Sequence, residues 1–244
     1  MEAIRLTEVP QTLSPGTAYL VWENIRDLSV PQERLVPLLS DEERRRAGRY
    51  RLEDDRLRSH VSWGLLRIFL GRVLGVEPWT IEFTQNEFQK PLLPDGPSFN
   101  MAHSGEWVLL GVTTEGRLGI DVEAPRPIPD LDALAATVFS ADELMELRTL
   151  PEAERLLAFF RGWTRKEAFV KAIGGGLSVP LKQFAVSLAP DVPEALRWID
   201  LPSERVESWS LRPLPDMPDA LRAVAWDRAL EEVRWVDPAS LYGG

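Results

Sequence analysis

The chain has no cysteine and only two histidines among its 244 residues. The first absence excludes a disulfide framework, a thiolate zinc site, an iron–sulfur cluster and a cysteine nucleophile. The second excludes a histidine-rich metal site, so a metal centre would have to be built mainly from carboxylates, a donor set that suits Mg²⁺. Positive charge is also short: 28 Lys+Arg stand against 38 Asp+Glu, a formal charge of −10. Nucleic acid is therefore not an expected partner, because neutralising its phosphates needs a basic surface. Nor does the sequence contain a stretch of about 18 apolar residues, or open with a basic segment followed by an apolar run. No membrane partner is expected, and the expected location is cytoplasmic. What remains is globular in composition, 44% hydrophobic with nine tryptophans. At roughly 100–200 residues per domain, it makes one large domain or two small ones.

Hydrophobic spacing places the elements. Residues 18–22 read as a first strand, and 33–50 carry helical spacing broken at Pro37 and Gly48. Inside that stretch Ser40 and Glu43 stand as cap and third position of a capping box. A long amphipathic helix is expected over 53–74, with Leu57, Val61, Leu65, Ile68 and Val73 on its apolar stripe and Gly75 as its stop. Residues 80–84 alternate like a strand, and 107–113 with 117–123 read as a hairpin about Thr114-Glu115-Gly116. Beyond the Pro-rich break at 124–129 the pattern starts again. Helices are expected near 130–138, from Ser140 and over about 151–173, followed by a strand at 184–188 and β-rich segments at 208–211 and 220–227. Residues 213–218 read as a Pro-rich loop. Each long helix ends in glycine, then comes valine with a nearby proline, then a strand. We read this as an internal duplication: an α/β (α+β) fold of two pseudo-symmetric halves, 1–118 and 119–244, each a long helix packed on a small, mostly antiparallel sheet.

Four groups of residues could carry chemistry. Asp121 and Glu123 lie two apart on an expected strand, so both project from one face while Ile120 and Val122 project from the other. That suits shared metal ligation and equally suits the solvated face of an edge strand. Glu167 and Lys171, in Trp163-Thr164-Arg165-Lys166-Glu167-Ala168, share a helical face and could form an ordinary surface pair worth ~0.3–0.5 kcal/mol. His103 and Ser104 lie in a short polar stretch before Gly105 that could offer an imidazole and backbone N–H groups to a phosphate. Arg44, Arg45, Arg46, Arg49, Arg51, Arg56 and Arg58 crowd fifteen residues, either as a solvated basic helix balanced by nearby acids or as an anion site in an acidic protein.

Together, Phe99-Asn100-Met101-Ala102-His103-Ser104-Gly105, Leu118-Gly119-Ile120-Asp121-Val122-Glu123 and the Trp163–Ala168 stretch with Lys171 resemble the signature of the 4'-phosphopantetheinyl transferases. The chain's size, its duplicated halves and Gln89-Lys90-Pro91 resemble the surfactin-synthetase-activating type. The resemblance implies transfer of the phosphopantetheine arm of coenzyme A to a serine of an apo acyl or peptidyl carrier protein, by a monomer, with release of adenosine 3',5'-bisphosphate. It implies Mg²⁺ on Asp121, Glu123 and Glu167, with phosphate contacts from Lys171 and His103. Arg58 would meet the 3'-phosphate, Lys90 and Pro91 would border the adenine, and Ser104 and Lys166 would complete the coenzyme contacts. Glu143 or Glu167 would be the base for the carrier serine. The chain departs from the family at Ala102, where a serine is common, which removes one hydroxyl from the nucleotide side. On the carboxylates alone, a Mg²⁺-dependent nucleotide phosphohydrolase or a non-catalytic CoA- or carrier-binding module is also open.

Overall fold

Two 22-residue helices, each stopped by a glycine in the left-handed region, organise the chain: 53–74 before Gly75 (φ 65°) and 152–173 before Gly174 (φ 78°). They belong to a computed structural model that describes residues 6–215, 219–228 and 230–241. The chain separates into two units, one running to Glu115 and taking up the segment from Leu230 onward, the other spanning Gly116–Ala229.

In the first unit, β1 (Leu6–Thr7) and β2 (Thr17–Asn24) precede α1 (Gln32–Leu35), α2 (Asp41–Ala47) and α3 (Glu53–Leu74). Then come the short strands β3 (Thr84–Gln85) and β4 (Pro91–Leu92) and the hairpin of β5 (Ser98–Ser104) with β6 (Trp107–Thr113). The last strand of the chain, β12 (Glu232–Val236), lies between β1 and β2, parallel to both, giving the order β1-β12-β2-β6-β5. Periodicity cannot show such a pairing, because its partners are more than 200 residues apart in sequence. On α3, Val61, Leu65 and Phe69 share a core with Tyr19, Val21, Val108, Leu110 and Val112, while Leu57 and Val73 are only partly buried. The capping box at Ser40 and Glu43 is present in full.

Two expected elements differ. The strand read at 80–84 is a 3₁₀ turn at Pro78–Thr80 followed by two strand residues. The hairpin read across 114–116 does not form. β6 pairs with β5 and β2, and the next strand pairs inside the second unit. The actual hairpin closes at Gly105-Glu106, with glycine (φ 58°) in the first loop position, where a two-residue loop favours it.

The second unit contains β7 (Leu118–Glu123), α4 (Leu131–Val138), α5 (Ala141–Thr149) and α6 (Glu152–Ile173), then β8 (Phe184–Val186), β9 (Leu196–Ile199), β10 (Ser210–Pro213) and β11 (Leu221–Trp226). Antiparallel pairing gives a sheet of order β10-β11-β7 and a separate β8–β9 ribbon. Pro213 ends β10, and part of the loop expected after it, residues 216–218, lies outside the described residues. α6 is carried on β7 and β11. A Cβ built on Gly119 would stand 2.0 Å from the Ala168 carbonyl oxygen and 2.3 Å from the Ala172 nitrogen, so only glycine lets the helix backbone lie this close to the strand. Among the described residues no helix is long and apolar enough to cross a membrane.

Candidate active site

Alternation along β7 puts Gly119, Asp121 and Glu123 on one face and Leu118, Ile120 and Val122 on the other. Ile120 and Val122 are buried, as their pattern requires, but the acidic face is not a solvated one. It lies under α6, and Asp121 is only 4% exposed. Trp163, Glu167 and Lys171 are spaced by four and form one stripe along that helix. Lys171 Nζ donates to Asp121 Oδ1 at 2.6 Å, and Trp163 Nε1 donates to Glu123 Oε1 at 3.1 Å. Arg126 pairs with the other oxygen of Glu123 at 3.4 Å. The lysine read as a helix-surface partner of Glu167 thus reaches across to the strand.

Burial dominates the electrostatics. It pushes the Asp121 carboxyl up to about 7 against the pull of Lys171, with Glu123 and Glu167 adding like-charge repulsion. Burial also raises Glu167, opposed by Lys171 and reinforced by Glu123. Asp121 Oδ2 is buried and accepts no hydrogen bond, a costly condition for a carboxylate oxygen. No group of three His, Asp or Glu side chains among the described residues is gathered as a metal cage. The donor set nevertheless fits a hard divalent cation: an orphaned buried oxygen, two further carboxylates within electrostatic reach, and oxygen ligands throughout.

Two sequence expectations do not fit the geometry. Glu143, read as a possible base, is fully buried, and its carboxylate is already occupied. Oε2 accepts from Ser140 N at 2.7 Å and meets Lys166 Nζ at 2.9 Å, while Oε1 accepts from Val186 N at 2.8 Å. Lys166, read as a coenzyme contact, is 0% exposed and donates also to the Leu181 and Phe184 carbonyls, each at 2.7 Å. Burial pulls its pKa down and Glu143 opposes that pull. Neither charged end reaches solvent.

In the first unit, Arg58 donates to the Gly105 carbonyl and pairs with Asp55, which brings its guanidinium to the hairpin end that carries His103 and Ser104. His103 is exposed and Ser104 partly buried. Ala102 is buried, opposite Leu109 on β6. Lys90 and Pro91 lie on the β3–β4 ribbon, whose turn is held by Asn86 accepting from Lys90 N at 2.9 Å. Beside this ribbon a cleft of about 590 Å³ is lined by Glu42, Arg45, Arg46, Arg49, Tyr50, Gln85 and Gln89. Arginine density was the signal for the basic wall. Gln89 stood in the Gln89-Lys90-Pro91 stretch, whereas Gln85 carried no signal, because it reaches the cleft only through the fold of the ribbon.

A strand bearing two carboxylates that meets a helix bearing a third and a lysine makes a class of site suited to phosphoryl chemistry. Residues 117–224 match the 4'-phosphopantetheinyl transferase superfamily, and residues 30–115 match the N-terminal region of 4'-phosphopantetheinyl transferase. The chain is 36% identical over 206 residues to the 4'-phosphopantetheinyl transferase HetI of Nostoc sp., covering 81% of this chain and 84% of that one. It is 30% identical over 213 residues to the 4'-phosphopantetheinyl transferase Sfp of Bacillus subtilis, covering 81% and 92%. It is 36% identical over 188 residues to psf-1 of Bacillus pumilus, a 4'-phosphopantetheinyl transferase, covering 76% and 79%. The chain belongs to the 4'-phosphopantetheinyl transferase family, and its activity is transfer of the 4'-phosphopantetheinyl group. The phosphohydrolase and binding-module readings are set aside.

Proposed function

We propose that the donor is coenzyme A and the acceptor a serine of an apo acyl or peptidyl carrier protein, with adenosine 3',5'-bisphosphate released and a monomer at work in the cytoplasm. The observation that carries the reading is the meeting of Asp121, Glu123, Glu167 and Lys171 where β7 lies under α6. Asp121, Glu123 and Glu167 would hold Mg²⁺, which when bound supplies charge neutralisation at the pyrophosphate. Lys171 is placed to hold a phosphate oxygen. Glu167 takes the serine proton, since the alternative base, Glu143, is sealed in the interior.

The first unit serves the nucleotide. His103, Ser104 and Arg58 converge at one hairpin end, Lys90 and Pro91 border the base, and the arginine-walled cleft offers positive charge to phosphate. Without the hydroxyl that Ala102 lacks, the contact at that point passes to Ser104 and the loop backbone. The test is to incubate the protein with coenzyme A, Mg²⁺ and a panel of apo carrier proteins and weigh the carriers intact. A gain of one phosphopantetheine arm, lost without Mg²⁺ or with Asp121→Asn, is the expected result. Release of adenosine bisphosphate with no mass gain on any carrier would refute it.

A further inference from the structure

The Lys166–Glu143 pair sits one residue from Glu167 in the chain and on a different side of the helix. Successive residues on an α-helix are about 100° apart, so fixing the direction of one fixes its neighbour. Lys166 is fixed unusually well: a lysine ammonium has three protons, and each has an acceptor here, Glu143 Oε2, Leu181 O and Phe184 O, at 2.9, 2.7 and 2.7 Å. Phe184 lies under the ammonium, 4.3 Å from ring centroid to Nζ. Glu143 is fixed in turn by two backbone N–H groups, one at the start of α5 and one on β8. The close approach at Gly119 sets the distance between α6 and β7 on one side of the helix, and the Lys166 contacts hold it from another.

We propose that Glu143 and Lys166 are positioning residues for the transfer reaction: together they set the roll of α6, and so aim Glu167 and Lys171 at Asp121 and Glu123. Stability alone is a poor account of the pair, because a buried ion pair is often no more stabilising than apolar side chains of similar volume. A saturated tripod of directional hydrogen bonds adds to packing a restraint on the direction of the side chain, and so on the helix that carries it. The inference rests on the reading of Asp121, Glu123 and Glu167 as the reacting cluster.

The test is the double variant Glu143→Gln with Lys166→Met. The glutamine keeps an acceptor for one backbone N–H and offers a donor to one of the carbonyls the lysine leaves, and no charge remains buried. A thermal midpoint close to the parent's is expected, with kcat lowered ~10–100-fold, the scale that small misplacement of reacting groups produces. KM for coenzyme A should change little, and Mg²⁺ binding followed by titration calorimetry should weaken. A folded double variant with parental kcat and parental Mg²⁺ binding overturns the proposal. If the double variant does not fold, Glu143→Gln alone decides. Lowered kcat with a pH–rate profile of unchanged shape supports positioning, and parental kcat, or loss of the acidic limb as for a missing base, overturns it. Should the parent protein itself transfer nothing to any carrier, the functional reading fails, and the calorimetric comparison still tests the aim of Glu167.

Discussion

In the first unit a carboxylate at the third position of a capping box, Glu43, grips Arg67, the fifteenth residue of α3 counted from Glu53. In the second, Glu143 holds the same position in the same kind of box and grips Lys166, the fifteenth residue of α6 counted from Glu152. Both cations donate also to two carbonyls beyond the helix, Pro78 and Ile81 in one case, Leu181 and Phe184 in the other. The pair is thus a feature of the duplicated unit, older in the logic of the fold than the chemistry. What differs is the next residues around. At the sixteenth and twentieth positions α3 carries Ile68 and Arg72, and α6 carries Glu167 and Lys171. The same lock stands beside Ile68 and Arg72 in one unit and beside the acidic site in the other.

The largest effect should come from breaking each lock on one side. Arg67→Met leaves Glu43 buried without its cation, and Lys166→Met does the same to Glu143. Each should cost ~3–5 kcal/mol of unfolding free energy. Denaturant titration of both variants measures this, and a cost near zero for either would end the parallel. Only Lys166→Met should also raise the Mg²⁺ concentration needed for half-maximal transfer, and an equal rise in Arg67→Met would show that the second unit's lock has no special bearing on the site.

A glycine contrast comes next. A methyl group on Gly119 meets helix backbone at 2.0 Å, whereas one on Gly64 of α3 meets Cβ and Cδ2 of the buried Leu35 side chain at 2.9 Å, a milder overlap. Gly119→Ala should lose ~1–3 kcal/mol or more through overpacking, together with most of the transfer rate. Gly64→Ala should lose less, its overlap with Leu35 partly offset by the ~1 kcal/mol that alanine gains over glycine within a helix. Thermal unfolding of the two variants checks this, and equal losses would mean that the backbone approach at β7 is not tight.

The third effect belongs to the first unit alone. Glu23, 4% exposed on β2, is pushed by burial up to about 7 although it accepts hydrogen bonds from Ser29 N and Oγ. Its folded value lies above its unfolded one, so the stability it contributes is complete below about pH 4.5 and is lost as pH rises through about 7. The loss should be ~3 kcal/mol. Glu23→Gln should flatten the denaturation midpoint between those limits. A midpoint with the same pH slope in both proteins would remove Glu23 as the cause.

Much of this was legible in the sequence. Both long helices, their glycine stops and the capping box at Ser40 follow from local spacing, and so did the reading of two α/β halves. Asp121, Glu123, Glu167 and Lys171 were legible as candidates because alternation and i,i+4 spacing put carboxylates on defined faces. That those faces meet was not legible, since it depends on a helix backbone riding over Gly119. The mutual burial of Glu143 and Lys166 was hidden for a related reason: charge in a sequence suggests exposure or catalysis, and nothing local says that two charges 23 residues apart will bury each other. The return of β12 to the first unit and the failed hairpin at 114–116 are likewise long-range pairing choices, outside the reach of periodicity.

The smallest effect tests the comparison at a single hydrogen bond. Trp163 packs against Phe159, with ring centroids 6.2 Å apart and planes 21° from parallel, and also donates its indole N–H to Glu123. Trp63 in the first unit packs edge-on against Phe83 at 5.4 Å, with no site carboxylate to orient. Replacing either tryptophan by phenylalanine keeps an aromatic ring in the core and removes the indole nitrogen. For Trp163→Phe the lost, part-buried bond should amount to ~0.5–1.5 kcal/mol, or about 2–13-fold in rate if it is felt mainly in the transition state. The loss should fall on kcat and on the Mg²⁺ requirement, with KM for coenzyme A unchanged, because Glu123 would keep its place on β7 but lose its fixed rotamer. Steady-state kinetics of Trp163→Phe across a Mg²⁺ titration measures both. A parental Mg²⁺ requirement with only KM altered would mean that the tryptophan serves packing in both units alike.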